Sequence, residues 1–179
     1  MIREILLIGL AVAGWGGLVG CAGREKIDVV PVTSTTGQVR VQNGRSAVIF
    51  DAVFAKSAGG DVALDLRKGG PSPVASLRLS KDGRASFSGF GRKWSGFRSD
   101  APPLIAPLFT LAFLYSTEAT IPDGAREVMA PNMRVAVDAE GGHLKSAGVA
   151  SVDGPFAALA RFSAPKPKGG ESGPVHQAD

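Results

Sequence analysis

The sequence predicts a mainly β protein, a meander of antiparallel strands covered on one face, together with a short apolar helix. Three observations support this prediction. Short segments alternate apolar and polar residues, as strands with one buried face do. Glycine and proline, 24 and 12 of the 179 residues, divide the chain into many short segments without a regular period. One apolar run near the middle of the chain interrupts the alternation.

The first residues have the layout of a secretory signal peptide. Arg3 precedes an apolar run from Ile5 to Trp15, and small residues follow that run. A membrane-spanning helix needs about 20 apolar residues, so this run is too short to span a bilayer comfortably. The sequence therefore predicts a signal peptide over residues 1–20.

The signal ends in Leu18-Val19-Gly20-Cys21, which resembles the lipobox of bacterial lipoproteins. The resemblance implies that Cys21, the only cysteine, receives a thioether-linked diacylglycerol and that the chain is cut just before it. A thiolate suits this role because it is a strong nucleophile. The alternative is that Cys21 is a small buried hydrophobe in an ordinary anchor helix.

Acylation at Cys21 would determine where in the cell the protein is located. Two or three acyl chains anchor a protein stably, because each buried methylene contributes about 0.8 kcal/mol. Ala22 follows the cysteine, whereas many Gram-negative lipoproteins retained at the inner membrane carry aspartate there. The resemblance therefore implies a lipid-anchored protein of the bacterial envelope, at the outer membrane and facing the periplasm.

Composition predicts the domain boundaries. Residues 21–37 form a polar, lipidated tether, and residues 164–179 combine proline, glycine and charge, which is typical of disorder. Residues 38–163 lie between them and are predicted to form a single β-rich domain. The part of the chain after the signal, about 160 residues, is long enough for one real core.

Alternating segments place the strands of this domain in order. In Ser46–Ser57 and Asp61–Arg67 the larger apolar side chains share one face, and Lys81-Asp82-Gly83 supplies a tight hairpin turn. The predicted strands are Val39–Val41, Ser46–Ser57, Asp61–Arg67, Val74–Ser80, Arg84–Phe90, a hairpin within Met133–Gly154, and Phe156–Phe162. The segment Ile121–Asn132 is predicted to be a loop, with or without one helical turn.

The apolar run Leu104–Tyr115 is the exception to the alternation. Pro107 suits the first turn of a helix spanning about Leu108 to Tyr115. The run is also compatible with a buried strand, because its large residues alternate with smaller ones. It is too short to cross a membrane.

Catalytic chemistry is not predicted. The chain has no Gly-x-Ser-x-Gly or phosphate-loop motif, and the sequence indicates no catalytic residue, no cofactor and no metal site. His143, the only histidine of the predicted domain, adjoins a glycine turn and reads as an exposed surface residue. Asp61 and Asp65 share an outward strand face, where they either hold calcium weakly or simply keep the strand soluble.

Charge points to a membrane surface more than to nucleic acid. The net charge is +4 and too diffuse for a nucleic-acid-binding protein, since no run of five basic residues occurs. Arg92, Lys93 and Trp94 combine cationic and aromatic side chains, as membrane-facing segments do. The alternative is that Trp94 belongs to the core and is flanked by solvated charges.

Several features in order resemble the lipoprotein-carrier and receptor superfamily, which has the LolA/LolB-like fold. They are the lipobox at Cys21, the strand pair within Ser46–Pro71, the hairpin Ser76–Phe87 and the Pro-flanked apolar segment Pro102–Tyr115. The resemblance implies one curved antiparallel sheet, an incomplete barrel, with one or two short apolar helices that plug an apolar cavity and move when an acyl chain enters.

The resemblance also implies a function: the protein binds acyl chains and takes part in lipoprotein or lipid transfer to the outer membrane. Its partners would be the membrane, an acyl-chain or lipoprotein ligand and a periplasmic carrier, with no nucleic acid. The residues expected to line the cavity are Phe50, Phe54, Leu64, Leu66, Leu77 and Leu79, and those expected in the lid are Leu104, Leu108, Phe109 and Phe113. Two alternatives are a permanently dry core and a structural or interaction lipoprotein that docks on an envelope complex without a lipid ligand.

Overall fold

A computed structural model describes residues 29–130 and 132–163, and within them ten strands and one α-helix. The strands are β1 Thr33–Asn43, β2 Ser46–Lys56, β3 Val62–Arg67, β4 Pro73–Leu79, β5 Arg84–Gly89, β6 Arg92–Phe97, β7 Gly124–Ala130, β8 Met133–Glu140, β9 His143–Ser151 and β10 Phe156–Phe162. The helix α1, Ala106–Ser116, follows β6 and lies between two short 3₁₀ turns, Arg98–Asp100 and Glu118–Thr120.

All ten strands belong to one antiparallel sheet. Their order is β6-β5-β4-β3-β2-β1-β10-β9-β8-β7, so the sheet consists of two meanders joined where β1 pairs with β10. That pairing runs from Gly37 opposite Phe162 to Asn43 opposite Phe156. The edge strands β6 and β7 do not pair with each other, and the sheet stays open. The predicted mainly β fold with a curved, unclosed antiparallel sheet is therefore confirmed.

The helix is also confirmed, over the buried-strand alternative. It begins two residues before the predicted start, with Pro107 in its first turn, where the missing backbone N–H removes no helical hydrogen bond. Leu108, Phe109, Leu111 and Tyr115 are buried against the inner face of the sheet. This packing decides between helix and strand, because a helix lays a broader apolar stripe on the sheet than a further strand would.

Two strands were not predicted, and the sheet starts earlier than expected. Both β6 and β7 are edge strands; β7 is exposed from Gly124 to Met129, so its sequence carries no apolar alternation. The strand β1 begins at Thr33, inside the predicted tether, because polar β-branched threonines pair with the end of β2. Polar strands of this kind leave no hydrophobic period to detect.

One apolar core lies between the inner face of the sheet and α1. It draws residues from β1 to β5, from α1 and from β8 to β10. Among the described residues, no polar or charged side chain is buried in it. The inner face is therefore a continuous apolar trough that one short helix covers.

Candidate functional site

The six residues expected to line a cavity all lie on the inner face of the sheet. Strand register forms a row in which Phe54 lies opposite Leu64 and Leu64 opposite Leu77. The row continues through Phe87 to Trp94 on the edge strand. Directly opposite residues of antiparallel strands point to the same face, so these five side chains form one apolar band. Phe50, Leu66 and Leu79 flank the band and are buried in the same core.

Leu108 and Phe109, two of the residues expected in the lid, lie over this band. Both are essentially inaccessible to solvent, and the ring of Phe109 packs 5.4 Å from that of Trp94. At the other end of the helix, the ring of Tyr115 lies 5.3 Å from that of Phe54. The structure thus adds Tyr115 to the expected lid, while Leu104 is partly buried at its margin. The phenol oxygen makes Tyr115 difficult to assign to a core from sequence alone.

Phe113 lies on α1, as expected, but its side chain does not pack on the sheet with those of Leu108 and Phe109. Its side chain is 39% exposed, and the guanidinium of Arg98 lies 4.0 Å from the centre of its ring. An α-helix has 3.6 residues per turn, so four residues carry Phe113 about 40° past Phe109 and out of the buried arc. Partial burial lowers the pKa of Arg98 from its ordinary value. Phe113 and Arg98 therefore form a cation–π pair on the outside of the lid.

The trough beneath the helix is filled in this structure. The space between Leu108 and the sheet is bounded by Leu64, Leu66, Leu77 and Phe87, and it is too small to hold a water molecule. The side chains of α1 occupy the place where the resemblance implies an apolar cavity. An acyl chain can enter there only if the helix moves away from the sheet.

Few polar contacts hold the helix to the sheet in the described part of the chain. Lys56 Nζ donates to the carbonyl oxygen of Ser116 at 2.6 Å. The hydroxyl of Thr110 lies 3.2 Å from the sulfur of Met133, and that of Tyr115 lies 3.4 Å from the hydroxyl of Thr35. The last two contacts are long or involve a weak acceptor. Apolar packing is therefore the main attachment of α1.

The expected membrane-facing residues separate into two groups. Arg92 and Lys93 are exposed at the start of edge strand β6. Trp94 is partly buried and packs on Phe109. This placement favours the core alternative for Trp94, because strand alternation turns its side chain inward.

Asp61, in the loop before β3, and Asp65, on β3, both contact other residues of the protein. Asp65 forms an ion pair with Arg78 at 2.8 Å, and Asp61 accepts a hydrogen bond from the backbone N–H of Lys81 at 3.1 Å. Both carboxylates therefore have partners within the protein. His143 is exposed beside its glycine turn, as expected.

Cys21, the signal peptide over residues 1–20 and the tail over residues 164–179 lie outside the described residues. Within the described residues, no helix has the length and apolar character needed to cross a bilayer. No protein-family model matches the chain, and no curated protein matches it.

Proposed function

We propose that this protein is a lipid-anchored component of the bacterial envelope that binds acyl chains beneath α1. Its task is lipoprotein or lipid transfer at the outer membrane, where a periplasmic carrier delivers the ligand. The observation that carries the proposal is the trough itself: its inner face buries only apolar side chains, and one short apolar helix covers it. Such a surface offers an acyl chain contacts equivalent to those that it loses with the helix.

The free energies of the two occupants are comparable. Burial of the four large side chains Leu108, Phe109, Leu111 and Tyr115 contributes about 6 to 12 kcal/mol. An acyl chain of about 16 carbons gains about 12 kcal/mol on full burial, at about 0.8 kcal/mol per methylene. Exchange of helix for acyl chain is therefore close to balanced. The ligand replaces one apolar occupant by another, and the trough never stands empty.

The helix can leave without disturbing the sheet. It takes no part in the strand ladder, and residues 98–105 and 117–123 connect it to β6 and β7. Its strongest polar tie, Lys56 to Ser116, lies at its last residue, so the first turn can swing outward around this end. Movement of α1 therefore opens the trough while all ten strands stay paired.

Locking the helix to the sheet tests the proposal. Thr110 on α1 and Met133 on β8 are in side-chain contact, so cysteines at both positions can be joined by the short thiol cross-linker dibromobimane. A chain starting at Ala22 has no other thiol. We expect the unlocked chain to bind hexadecanoate in native mass spectrometry, and cross-linking to reduce the bound fraction at least about tenfold.

The matched control joins Ser76→Cys to Ser88→Cys, which are opposite each other on β4 and β5 and carry their side chains on the outer face of the sheet. Cross-linking there is expected to leave hexadecanoate binding unchanged. Equal binding by the locked and unlocked Thr110–Met133 chains would exclude a site beneath the helix. Lack of binding by every variant would reject acyl-chain binding altogether.

The anchor is tested separately. In a bacterial host, the full chain is expected to incorporate radiolabelled palmitate, and Cys21→Ser is expected to abolish the label. The chain has one cysteine, so loss of label can report only on that position. Label that persists in Cys21→Ser would contradict lipidation at the lipobox.

The filled trough is the observation that favours the alternative function, an interaction lipoprotein that docks on an envelope complex. In that case α1 is a permanent part of the core. The locked chain then retains its envelope partner, whereas an acyl-binding protein loses its ligand. The cross-linking experiment therefore separates the two functions.

A further inference from the structure

The outer face of the sheet carries a groove that the acyl-chain site does not use. Its volume is about 650 Å³, which lies in the range of small-ligand pockets. Four neighbouring strands, β10, β1, β2 and β3, form its floor, and Gly70 in the loop after β3 lies at its edge. The groove is therefore centred on the junction of the two meanders.

Strand register sets a row of polar side chains across this floor. Arg161 lies opposite Gln38, Gln38 opposite Asp51, and Asp51 opposite Arg67. Neighbouring strands are about 4.8 Å apart, so the two arginines are about 14 Å apart at the backbone with the carboxylate between them. The hydroxyls of Thr36 and Ser163, which are 3.4 Å apart, line one side of the groove.

The charged groups of this row form no close ion pair with any described residue. The ion pairs found among those residues involve neither Arg67, Arg161 nor Asp51. The Nε of Arg67 is shielded from solvent and has no hydrogen-bond acceptor among the described residues.

We infer that the groove binds a small zwitterion with a phosphate group next to an ammonium group. The phosphate lies between Arg67 and Arg161, whose guanidinium groups donate charge-assisted hydrogen bonds to its oxygens. The ammonium group contacts the carboxylate of Asp51, which would repel a simple anion. This site does not depend on the acyl-chain trough, because its ligand needs no hydrocarbon.

Calorimetric titration tests the inference on the full chain carrying Cys21→Ser, in dodecyl maltoside, a detergent without phosphate. The probes are phosphoethanolamine and inorganic phosphate. We expect the unaltered groove to prefer phosphoethanolamine. Arg67→Gln and Arg161→Gln are each expected to weaken its binding at least about tenfold, because each removes charge-assisted hydrogen bonds. Arg67→Lys, which keeps the charge but lacks the planar guanidinium that can donate two parallel hydrogen bonds, is expected to bind with intermediate affinity.

Asp51→Asn gives the most specific result. It removes the partner of the ammonium and the repulsion of the phosphate, so the preference for phosphoethanolamine over inorganic phosphate is expected to fall at least about fivefold. Arg40→Gln is the matched control, since Arg40 lies on the same face of β1 but outside the groove. It is expected to change both affinities by less than about twofold.

Three results would overturn the inference: no binding by the unaltered groove, unchanged affinity in both arginine-to-glutamine variants, or an unchanged preference in Asp51→Asn. Arg161 is exposed, so its variant remains informative if Arg67→Gln does not fold. Glycerophosphoethanolamine distinguishes the source of the ligand. Binding as tight as that of phosphoethanolamine indicates a lipid headgroup, and binding of the monoester alone indicates a soluble phosphate.

Discussion

Phe109→Asp is expected to abolish the folded state. Phe109 is fully buried against the inner face of the sheet, where its ring packs on that of Trp94, in a core without buried charged groups among the described residues. The substitution removes a large apolar side chain and places a carboxylate where it has no partner. We expect a loss of about 5 kcal/mol or more, which matches the whole stability of many domains. Circular dichroism and thermal unfolding of the chain starting at Ala22 would measure it.

Phe113→Asp is the matched control on the same helix. Phe113 lies on the outer side of α1, where its ring contacts Arg98 and solvent. An aspartate there loses the cation–π contact but stays hydrated, so we expect a change within about 1 kcal/mol. Unfolding of Phe113→Asp together with a stable Phe109→Asp would mean that the helix packs through its other face.

Gly37→Ala is expected to weaken the junction between the two meanders. A Cβ at Gly37 would overlap the carbonyl oxygen of Arg161 on β10. That oxygen belongs to the backbone, so it cannot rotate away as a side chain could. The strands must separate locally, in the only pairing that joins the two halves of the described sheet. We expect a loss of about 3 kcal/mol and a fall in the unfolding temperature of about 6 to 12 °C.

Gly59→Ala serves as its control. A Cβ at Gly59 would meet its nearest atom, the hydroxyl oxygen of Ser57, at 3.6 Å, which is ordinary contact. This change is expected to leave the unfolding temperature unchanged or slightly higher, because alanine reduces the freedom of the unfolded chain. Equal unfolding temperatures for the two variants would show that β1 and β10 are not held as closely as the structure indicates.

The inner face of the sheet could be predicted because its signal is local. A period of two placed Phe54, Leu64 and Leu77 on one face, and the register brings them together. The position of Pro107 identified the helix for a similar reason. Phe113 was misplaced because a run that is apolar on all sides does not show which arc of the helix is buried.

The outer groove could not be predicted because its signal is not local. Arg161 and Gln38 come from the two ends of the folded chain, and only the pairing of β1 with β10 places them opposite each other. The edge strands β6 and β7 were not predicted from the sequence for another reason. The side chains of β7 are exposed to solvent along nearly the whole strand. Its sequence therefore shows no alternation of apolar and polar residues from which a strand could be predicted.

The pairing of the first strand with the last also governs the order of assembly. Each meander can form through short hairpins, whereas the seam between them must bring together segments from opposite ends of the chain. Long-range pairing of this kind is entropically slow. We therefore expect the two hairpin stacks to form first and the seam between β1 and β10 to close late in folding.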